Sequence, residues 1–383
     1  MDSLNLGIIG GGLMGRELVS AAARWCHLTQ MEVAMRVVGV CDTQDEVLKW
    51  HARNLPTDAC ITSDYRRLLA DPRVQAVYVA VPHHLHREIY CAAIEAGKHL
   101  MGEKPFGIDL EANAAILACL RQHPEVIARC SSEFPFFPAV QRIARMIDAE
   151  EFGRILEVTA QFLHSSDLDP LKPINWKRQA RFNGQYGCMG DLGLHVCHVP
   201  LRAGWTPRNV RAILSKVVEQ RPDGHGGMSA CDTWDNATLL CESSDPASGT
   251  TFPTVYKMQR IAPGERNTWS IEIKGLKACA RFSTKNPKRL EVLRYAGGEQ
   301  SWQQVDTGQE TAFPTITGGI FEFGFSDAIL QMWAAFADEI SQGKARSRFS
   351  ACVLPEETAW THRLFTAALE SHRRGTTEPV APA

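Results

Sequence analysis

A doubly wound parallel α/β domain followed by a domain of mostly antiparallel strands is the fold class the sequence predicts, and three observations predict it. A short apolar strand from Leu4 runs into Gly10-x-Gly12-x-x-Gly15 and then into a helical run over about 13–28. Strand and helix alternate from there to about residue 130, the order that builds a parallel sheet. From about 154 to 295 strands follow one another through Gly, Pro and Asp turns, which favours antiparallel connections. The division falls near residue 132, giving domains 1–132 and 133–383.

In the glycine loop the three glycines act differently. Gly10 allows the tight turn, Gly12 lets backbone approach a pyrophosphate, and Gly15 lets helix and strand pack closely. Leu13 and Met14 complete the loop at the helix N-terminus. The second strand, 35–41, ends in Asp42, further from Gly15 than the usual interval of about 20 residues, and a long first helix and connection absorb the difference. An acidic side chain there accepts hydrogen bonds from a ribose diol and repels a 2′-phosphate, so NAD is expected in preference to NADP. A helix over about 43–55 follows, its Thr43-x-x-Glu46 start resembling a capping box and Pro56 closing it. A short helix over 64–70 precedes a β-branched strand over 75–81 suited to burial on both faces. Pro82-His83-His84-Leu85-His86 then lies at the carboxyl end of a parallel strand, where doubly wound sheets bind ligands. Three histidines there read as a metal site or as a lining of the nicotinamide pocket; the lining is expected, because a metal needs convergent ligands that one loop does not show. After a helix over about 85–96 and a strand over 98–101 comes Glu103-Lys104-Pro105. Pro105 disfavours helical dihedrals at Lys104 and holds the chain extended, bringing the ammonium to the sheet edge of the glycine loop; the alternative is a surface lysine in a turn. A helix over 110–121 and a strand over 126–130 complete the domain, and Pro135-Phe136-Phe137-Pro138 leads into a helix ending near Asp148.

Strands are expected over 154–163, 210–219, 237–242, 252–258, 269–274, 278–282 and 290–295, helices over 326–342 and 356–374, and a loose tail from 375. Between the first two strands lies Gly190-Asp191-Leu192-Gly193-Leu194-His195. With a helix starting near Leu192, Asp191 and His195 stand one turn apart on one face, so a carboxylate and an imidazole share a small volume. The other reading makes Asp191 an N-cap and His195 a buried, satisfied histidine. His198 extends the stripe to a metal-ligand pattern, which ranks below proton transfer, and no metal is expected. Trp176, Lys177, Arg178 and Arg181 read either as a loop over substrate, with an indole covering a sugar ring and cations meeting an anionic group, or as a solvated basic loop.

Composition bounds the function. A formal net charge of −2 gives no footprint for nucleic acid or an anionic membrane, and 44% hydrophobic residues is ordinary for a globular chain of 383 residues. No apolar run approaches a membrane span and the start shows no signal pattern, so a cytoplasmic location is expected. The 12 cysteines contain no C-x-x-C and read as small buried hydrophobes in a reducing compartment.

Taken together, the glycine loop, Pro82 with His86, Glu103-Lys104-Pro105 and Asp191-x-x-x-His195 resemble the glucose-fructose oxidoreductase, inositol dehydrogenase and rhizopine catabolism (Gfo/Idh/MocA) family of NAD(P)-dependent oxidoreductases. The resemblance implies a Rossmann domain plus an α+β domain with an open, mostly antiparallel sheet, a sugar or polyol substrate, and a homodimer or homotetramer. Many members have Asn after the Pro where this chain has His83. It implies cofactor contacts at Gly10, Gly12, Leu13, Met14, Gly15, Asp42, Pro82, His86, Glu103 and Lys104, and substrate contacts at Lys104, Trp176, Lys177, Arg178, Asp191 and His195. His195 is then expected as general base, Asp191 as its orienting carboxylate and Lys104 as the cation on the reacting oxygen. A dehydrogenase of a secondary hydroxyl is the leading expectation. A hydrolase that keeps NAD bound for transient oxidation, or a dinucleotide-binding regulator without chemistry, are the rivals.

Overall fold

The computed structural model describes residues 3–308 and 310–381. They form two compact units, Met1–Gly107 with Glu111–Pro138 and Gly308–Pro355, and Ile108–Leu110 with Ala139–Thr307 and Glu356–Ala383. The units differ from a single division near 132 in three respects: 108–110 go to the second, 133–138 stay with the first, and 308–355 return to the first.

The first unit alternates β1 (Ser3–Ile9), α1 (Leu13–Ala23), β2 (Ala34–Cys41), α2 (Asp45–Asn54), β3 (Cys60–Thr62), α3 (Tyr65–Ala70), β4 (Ala76–Val79), α4 (His86–Glu95), β5 (His99–Gly102), α5 (Leu110–Gln122) and β6 (Ala128–Cys130). Among the described residues its sheet has six strands in the order β3-β2-β1-β4-β5-β6, every pairing parallel. This is the doubly wound order with its switch point between β1 and β4, where such sheets bind nucleotides. β4 is buried along its whole length, as a central strand covered on both faces must be. Two local expectations are corrected. The first helix ends at Ala23, a short 3₁₀ turn (Trp25–His27) taking up the rest of the apolar run. The Thr43–Glu46 box does not form, because Gln44 holds the N-cap and its N–H donates instead to Asp42 Oδ1 at 2.9 Å.

Crossing into the second unit, α6 (Pro138–Asp148) and β7 (Ile155–Leu163) precede the four-residue α7 (Ala180–Asn183) and the long α8 (Cys188–Arg202). Strands β8 (Thr206–Pro207), β9 (Asn209–Ser215), β10 (Gln220–Pro222), β11 (Met228–Ala230), β12 (Asn236–Asp245), β13 (Thr250–Gln259), β14 (Thr268–Gly275), β15 (Ala278–Ser283), β16 (Arg289–Arg294) and β17 (Gln303–Asp306) follow. Among the described residues the large sheet runs β17-β16-β15-β14-β7-β13-β12-β9-β18, with β8 on β12; β18 is Glu378–Pro379. Its pairings are antiparallel apart from β7 with β13. Every residue of α8 is buried, and the helix packs on β7, β12 and β13. The C-terminal segment is tied down where a loose tail was expected: Glu378 and Pro379 pair with Val210 and Asn209, while residues 382 and 383 lie outside the described residues.

Two late helices complete the chain. α9 (Phe325–Gln342) belongs to the first unit, where it packs on α1, and its Trp333 meets Tyr78 of β4 edge-on with centroids 5.1 Å apart. α10 (Pro355–Arg374) belongs almost wholly to the second, where Phe365 packs on Gly193 of α8. Among the described residues no helix is long and apolar enough to cross a membrane.

Candidate active site

In the first unit the glycine loop is built by close approach. Gly10 has φ +95° and a Cβ there would stand 2.2 Å from Ala80 O; a Cβ on Gly15 would stand 2.7 Å from Gly10 O. Gly12, the N-cap of α1, has nothing within 4 Å of its Cβ position. Two glycines thus admit the protein's own backbone, and Gly12 leaves open space at a helix N-terminus, the geometry that receives a pyrophosphate. Beside it Leu13 is 76% exposed and Met14 half-buried. The Asp42 carboxylate accepts Gly11 N–H at 2.8 Å, so the acidic end of β2 is fastened to the loop. His51 of α2, which no motif announced, is buried with Nε2 2.8 Å from Gly11 O; burial lowers its pKa, and the neutral ring donates that bond.

Two residues expected at the cofactor brace the turns around it. His86 is fully buried; its Nδ1 accepts Gly107 N–H at 3.3 Å and its Nε2–H donates to Val81 O at 3.1 Å. It stacks on Tyr90 and so joins the turn after β4 to the turn after β5. Glu103 accepts the Tyr78 hydroxyl at 2.6 Å and Ser131 Oγ–H at 2.5 Å, while its carbonyl accepts Tyr90 O–H at 2.7 Å. Pro82 is half-buried directly after β4, and His83 is buried beside His86. Lys104 follows at the carboxyl end of β5, half-buried, its peptide bond to Pro105 cis.

In the second unit α8 starts at Cys188, with Gly187 as N-cap, so Asp191 sits inside the first turn and is not the cap. It is 1% exposed. Oδ1 accepts Lys177 Nζ at 2.8 Å and Oδ2 pairs with the Arg260 guanidinium. Arg260 also donates Nε–H to Asp167 Oδ2 at 2.8 Å and Nη2–H to Ser166 Oγ at 3.0 Å. Burial would raise the Asp167 carboxyl, but Arg260 and Arg178 outweigh it and hold it at about 2. One turn along, His195 is buried, its ring meeting Phe162 edge-on at 5.5 Å and its carbonyl accepting Trp269 Nε1–H at 2.8 Å.

The loop before α8 divides. Asn175 Oδ1 accepts Lys177 N–H at 2.9 Å, opening a 3₁₀ turn (Trp176–Arg178) that sets the Lys177 ammonium over the Trp176 ring at 5.6 Å. Lys177 keeps 29% of its side chain exposed and can meet a ligand. Arg178, the other cation expected at substrate, is fully buried and donates to Asp235 Oδ1 at 2.8 Å, with Asp167 at 3.5 Å. His198 is drawn away from the stripe to Glu357, 3.2 Å from Nδ1, and Arg202 clasps the same carboxylate. Among the described residues no three His, Cys, Asp or Glu side chains gather as they would around a metal ion. Arg260 and Asp167 carry no sequence signal; they stand near strand ends, in no motif, and only the fold brings them to Asp191.

Residues 4–129 match the family model for the oxidoreductase family with NAD-binding Rossmann fold, and residues 140–281 match the GFO/IDH/MocA C-terminal domain. The chain belongs to the Gfo/Idh/MocA family. Levoglucosan dehydrogenase of Pseudarthrobacter phenanthrenivorans is 29% identical over 307 residues, 76% of each chain. Inositol 2-dehydrogenase of Pseudomonas fluorescens is 29% identical over 175 residues, 46% of this chain and 49% of that one. The solved structure of levoglucosan dehydrogenase in complex with NADH and levoglucosan covers 99% of this chain and 100% of its own, with a TM-score of 0.86 and 25% identity. Membership makes this chain an NAD-dependent oxidoreductase of the dehydrogenase type, and its own residues fit the cofactor: the open space at Gly12, the N-terminus of α1 and the carboxylate of Asp42 stand at one edge of the β1–β2 pair.

Proposed function

We propose that this family member reversibly oxidises a secondary hydroxyl of a sugar, polyol or sugar derivative to a ketone. The observation that carries the reading is Asp191, buried and held between Lys177 and Arg260 one helical turn before His195. Bound NAD supplies the hydride acceptor, with Gly10, Gly12, Leu13, Met14, Gly15, Asp42 and Pro82 shaping its side. His195 takes the hydroxyl proton, a role suited to an imidazole because its ordinary pKa lies near working pH. Asp191 keeps a fixed negative charge near the imidazolium that results, and Lys104 stabilises negative charge developing on the substrate oxygen. Lys177, braced by Asp191 and carried over Trp176, offers a cation and an aromatic face to the substrate.

Relatives named for levoglucosan and inositol direct the test toward ring alcohols. Anhydrosugars, inositols, aldoses, amino sugars and sugar acids are offered with NAD, and NADH absorbance is followed beside product. NADH formed one for one with a keto product supports the dehydrogenase; product without NADH supports the NAD-retaining hydrolase; neither, across the panel, leaves a regulator. Assembly into a dimer or tetramer is proposed through the sheet face bearing Ile213 and Leu240, which are 65% and 50% exposed, and sedimentation velocity measures it.

A further inference from the structure

The backbone of the glycine loop is held one peptide plane at a time. Gly10 N–H donates to Cys41 O at 2.9 Å, tying the end of β1 to the end of β2. The Gly10–Gly11 peptide is held by Asp42, whose Oδ2 accepts Gly11 N–H at 2.8 Å. The Gly12–Leu13 peptide is held by α1 itself, because Gly12 O accepts Arg16 N–H at 3.0 Å. Between them lies the Gly11–Gly12 peptide, and its carbonyl is taken by His51, with Nε2 2.8 Å from Gly11 O.

His51 reaches this place from the inner face of α2. Val47 and His51, one turn apart, are the buried residues of that helix, and both press on Gly11: a Cβ there would stand 2.7 Å from His51 Nε2 and 2.9 Å from Val47 Cγ1. Packing alone would be served by an apolar side chain. The imidazole is fully buried instead, and its Nδ1 meets no hydrogen-bond partner, which weighs against folding. Its polar contribution is one bond to one carbonyl. A carbonyl oxygen only accepts, so the ring proton lies on Nε2.

The direction of that bond decides where the next amide points. Among the described residues the cis peptide is Lys104–Pro105, so Gly11–Gly12 is trans, and in a trans peptide the carbonyl and the amide hydrogen lie on opposite sides. With Gly11 O turned toward α2, Gly12 N–H is turned away from it. Gly12 is also the residue with nothing within 4 Å of its Cβ position, and no acceptor among the described residues takes its N–H.

We propose that His51 is a positioning residue for the dinucleotide, its Nε2–H fixing the Gly11–Gly12 peptide so that Gly12 N–H is presented to the pyrophosphate. The proposal rests on Gly12 meeting the pyrophosphate and not on the chemistry at His195. With glycine on both sides the plane is otherwise free to turn, and the donor would have to be ordered each time a dinucleotide binds.

The test separates the pyrophosphate from the rest of the dinucleotide. NAD and ADP-ribose are titrated by calorimetry into native protein, His51→Leu and His51→Gln, and adenosine is measured by competition against NADH fluorescence. His51→Leu keeps an apolar filling and removes the donor, whereas His51→Gln returns an N–H at a similar reach from the helix. NAD and ADP-ribose are expected to bind about 10-fold more weakly to His51→Leu, the scale of one lost hydrogen bond, with adenosine changed less than about 2-fold. His51→Gln is expected to recover most of the affinity. Equal losses for adenosine and ADP-ribose in His51→Leu, or no loss for either, overturn the proposal. Gly12→Val checks the reading beneath it. Native ADP-ribose affinity in Gly12→Val means that Gly12 does not meet the pyrophosphate, while loss in Gly12→Val with none in His51→Leu strikes His51 alone. Should His51→Leu fail to fold, native protein isotopically labelled at the histidine ring nitrogens is followed by NMR. The Nε2–H tautomer is expected for His51, and an Nδ1–H tautomer overturns the proposal, because that ring cannot donate to Gly11 O.

Discussion

A carboxylate held by two cations can help a histidine one turn away through its charge and through what it anchors. That distinction separates the expected losses. His195→Ala removes the proposed general base, worth about 10² to 10⁴-fold, so kcat is expected to fall by that order and the acid limb of the pH profile to flatten. Lys104→Ala is expected to lose rate in the hydride-transfer step with NAD affinity little changed, because its proposed role is on the substrate oxygen. Asp191→Asn keeps the shape but leaves Lys177 and Arg260 facing a neutral group, so its loss is large and does not multiply with that of His195→Ala. Single-turnover rates in the three variants and the double variant decide it: native rates, or losses that simply multiply, remove these residues as a unit. At the cofactor edge, Asp42→Ala narrows the preference for NAD over NADP, and because Asp42 also accepts Gly11 N–H it weakens binding of both; titration calorimetry of the two dinucleotides measures this. Glycines, Asp42, Lys104, Asp191 and His195 were legible because each sits in a short motif. His51, Asp167 and Arg260 were not, since what recommends them is a partner 40 to 93 residues away.

At the scale of elements, α8 joins chemistry to stability. Its buried face leaves no slack at Gly193, where a Cβ would come 2.2 Å from Phe365 Cζ of α10. Gly193→Ala forces that ring to move and is expected to cost about 1–3 kcal/mol, as overpacking usually does. Arg260→Met takes the opposite course, leaving Asp167 and Asp191 buried with a cation missing, for which about 3–5 kcal/mol is expected. Urea unfolding followed by far-ultraviolet dichroism measures both; an Arg260→Met protein as stable as native would show that the charges are not coupled. Alternating patterns place seven strands of the second unit within a few residues, because one face of each is buried and the period is two, while the short β8, β10, β11, β17 and β18 carry too few residues to show the pattern. Helix starts were less legible. Asp191 has the chemistry of a cap and Thr43 that of a capping box, yet the starts are set by Gly187 and Gln44, since cap choice depends on which backbone N–H groups the fold leaves open. Nor did periodicity show that α9 returns to the first unit, because an amphipathic pattern names a buried face and not the surface that covers it.

For the whole chain, a redox centre built from dinucleotide and side chains should need no metal: activity is expected to survive exhaustive chelation, and loss of activity with a stoichiometric transition metal on elemental analysis would revive the Asp191, His195, His198 stripe. Acid is the sharper probe of the intact molecule, because its buried charges titrate in order. Burial holds His51, His99 and His198 below the usual 6.5, so the stability they lend is present above that value and declines as pH falls below it. Carboxylates come next. Asp167 lies at about 2 against an ordinary 3.8, and Glu357, which burial would raise but His198 and Arg202 hold down, lies at about 2 against 4.5. A carboxyl depressed on folding stabilises fully above its unfolded value and loses that contribution as pH falls toward its folded value, so both contributions drain between 4.5 and about 2. They are on the order of 2 and 3 kcal/mol respectively. Urea midpoints measured from pH 7 downward should therefore drop steeply below 4.5, while between about 7 and 4.5 the loss from the histidines is opposed by Glu133, a carboxyl that burial raises to about 7 and whose protonation favours the folded state. Arg260→Met supplies the control: with one of its two arginines gone, Asp167 moves up toward the ordinary range, the variant starts less stable, and its midpoint falls less steeply over the lower window. Parallel curves for native and variant protein would mean that Asp167 does not titrate as part of the buried chain of charges that holds Asp191.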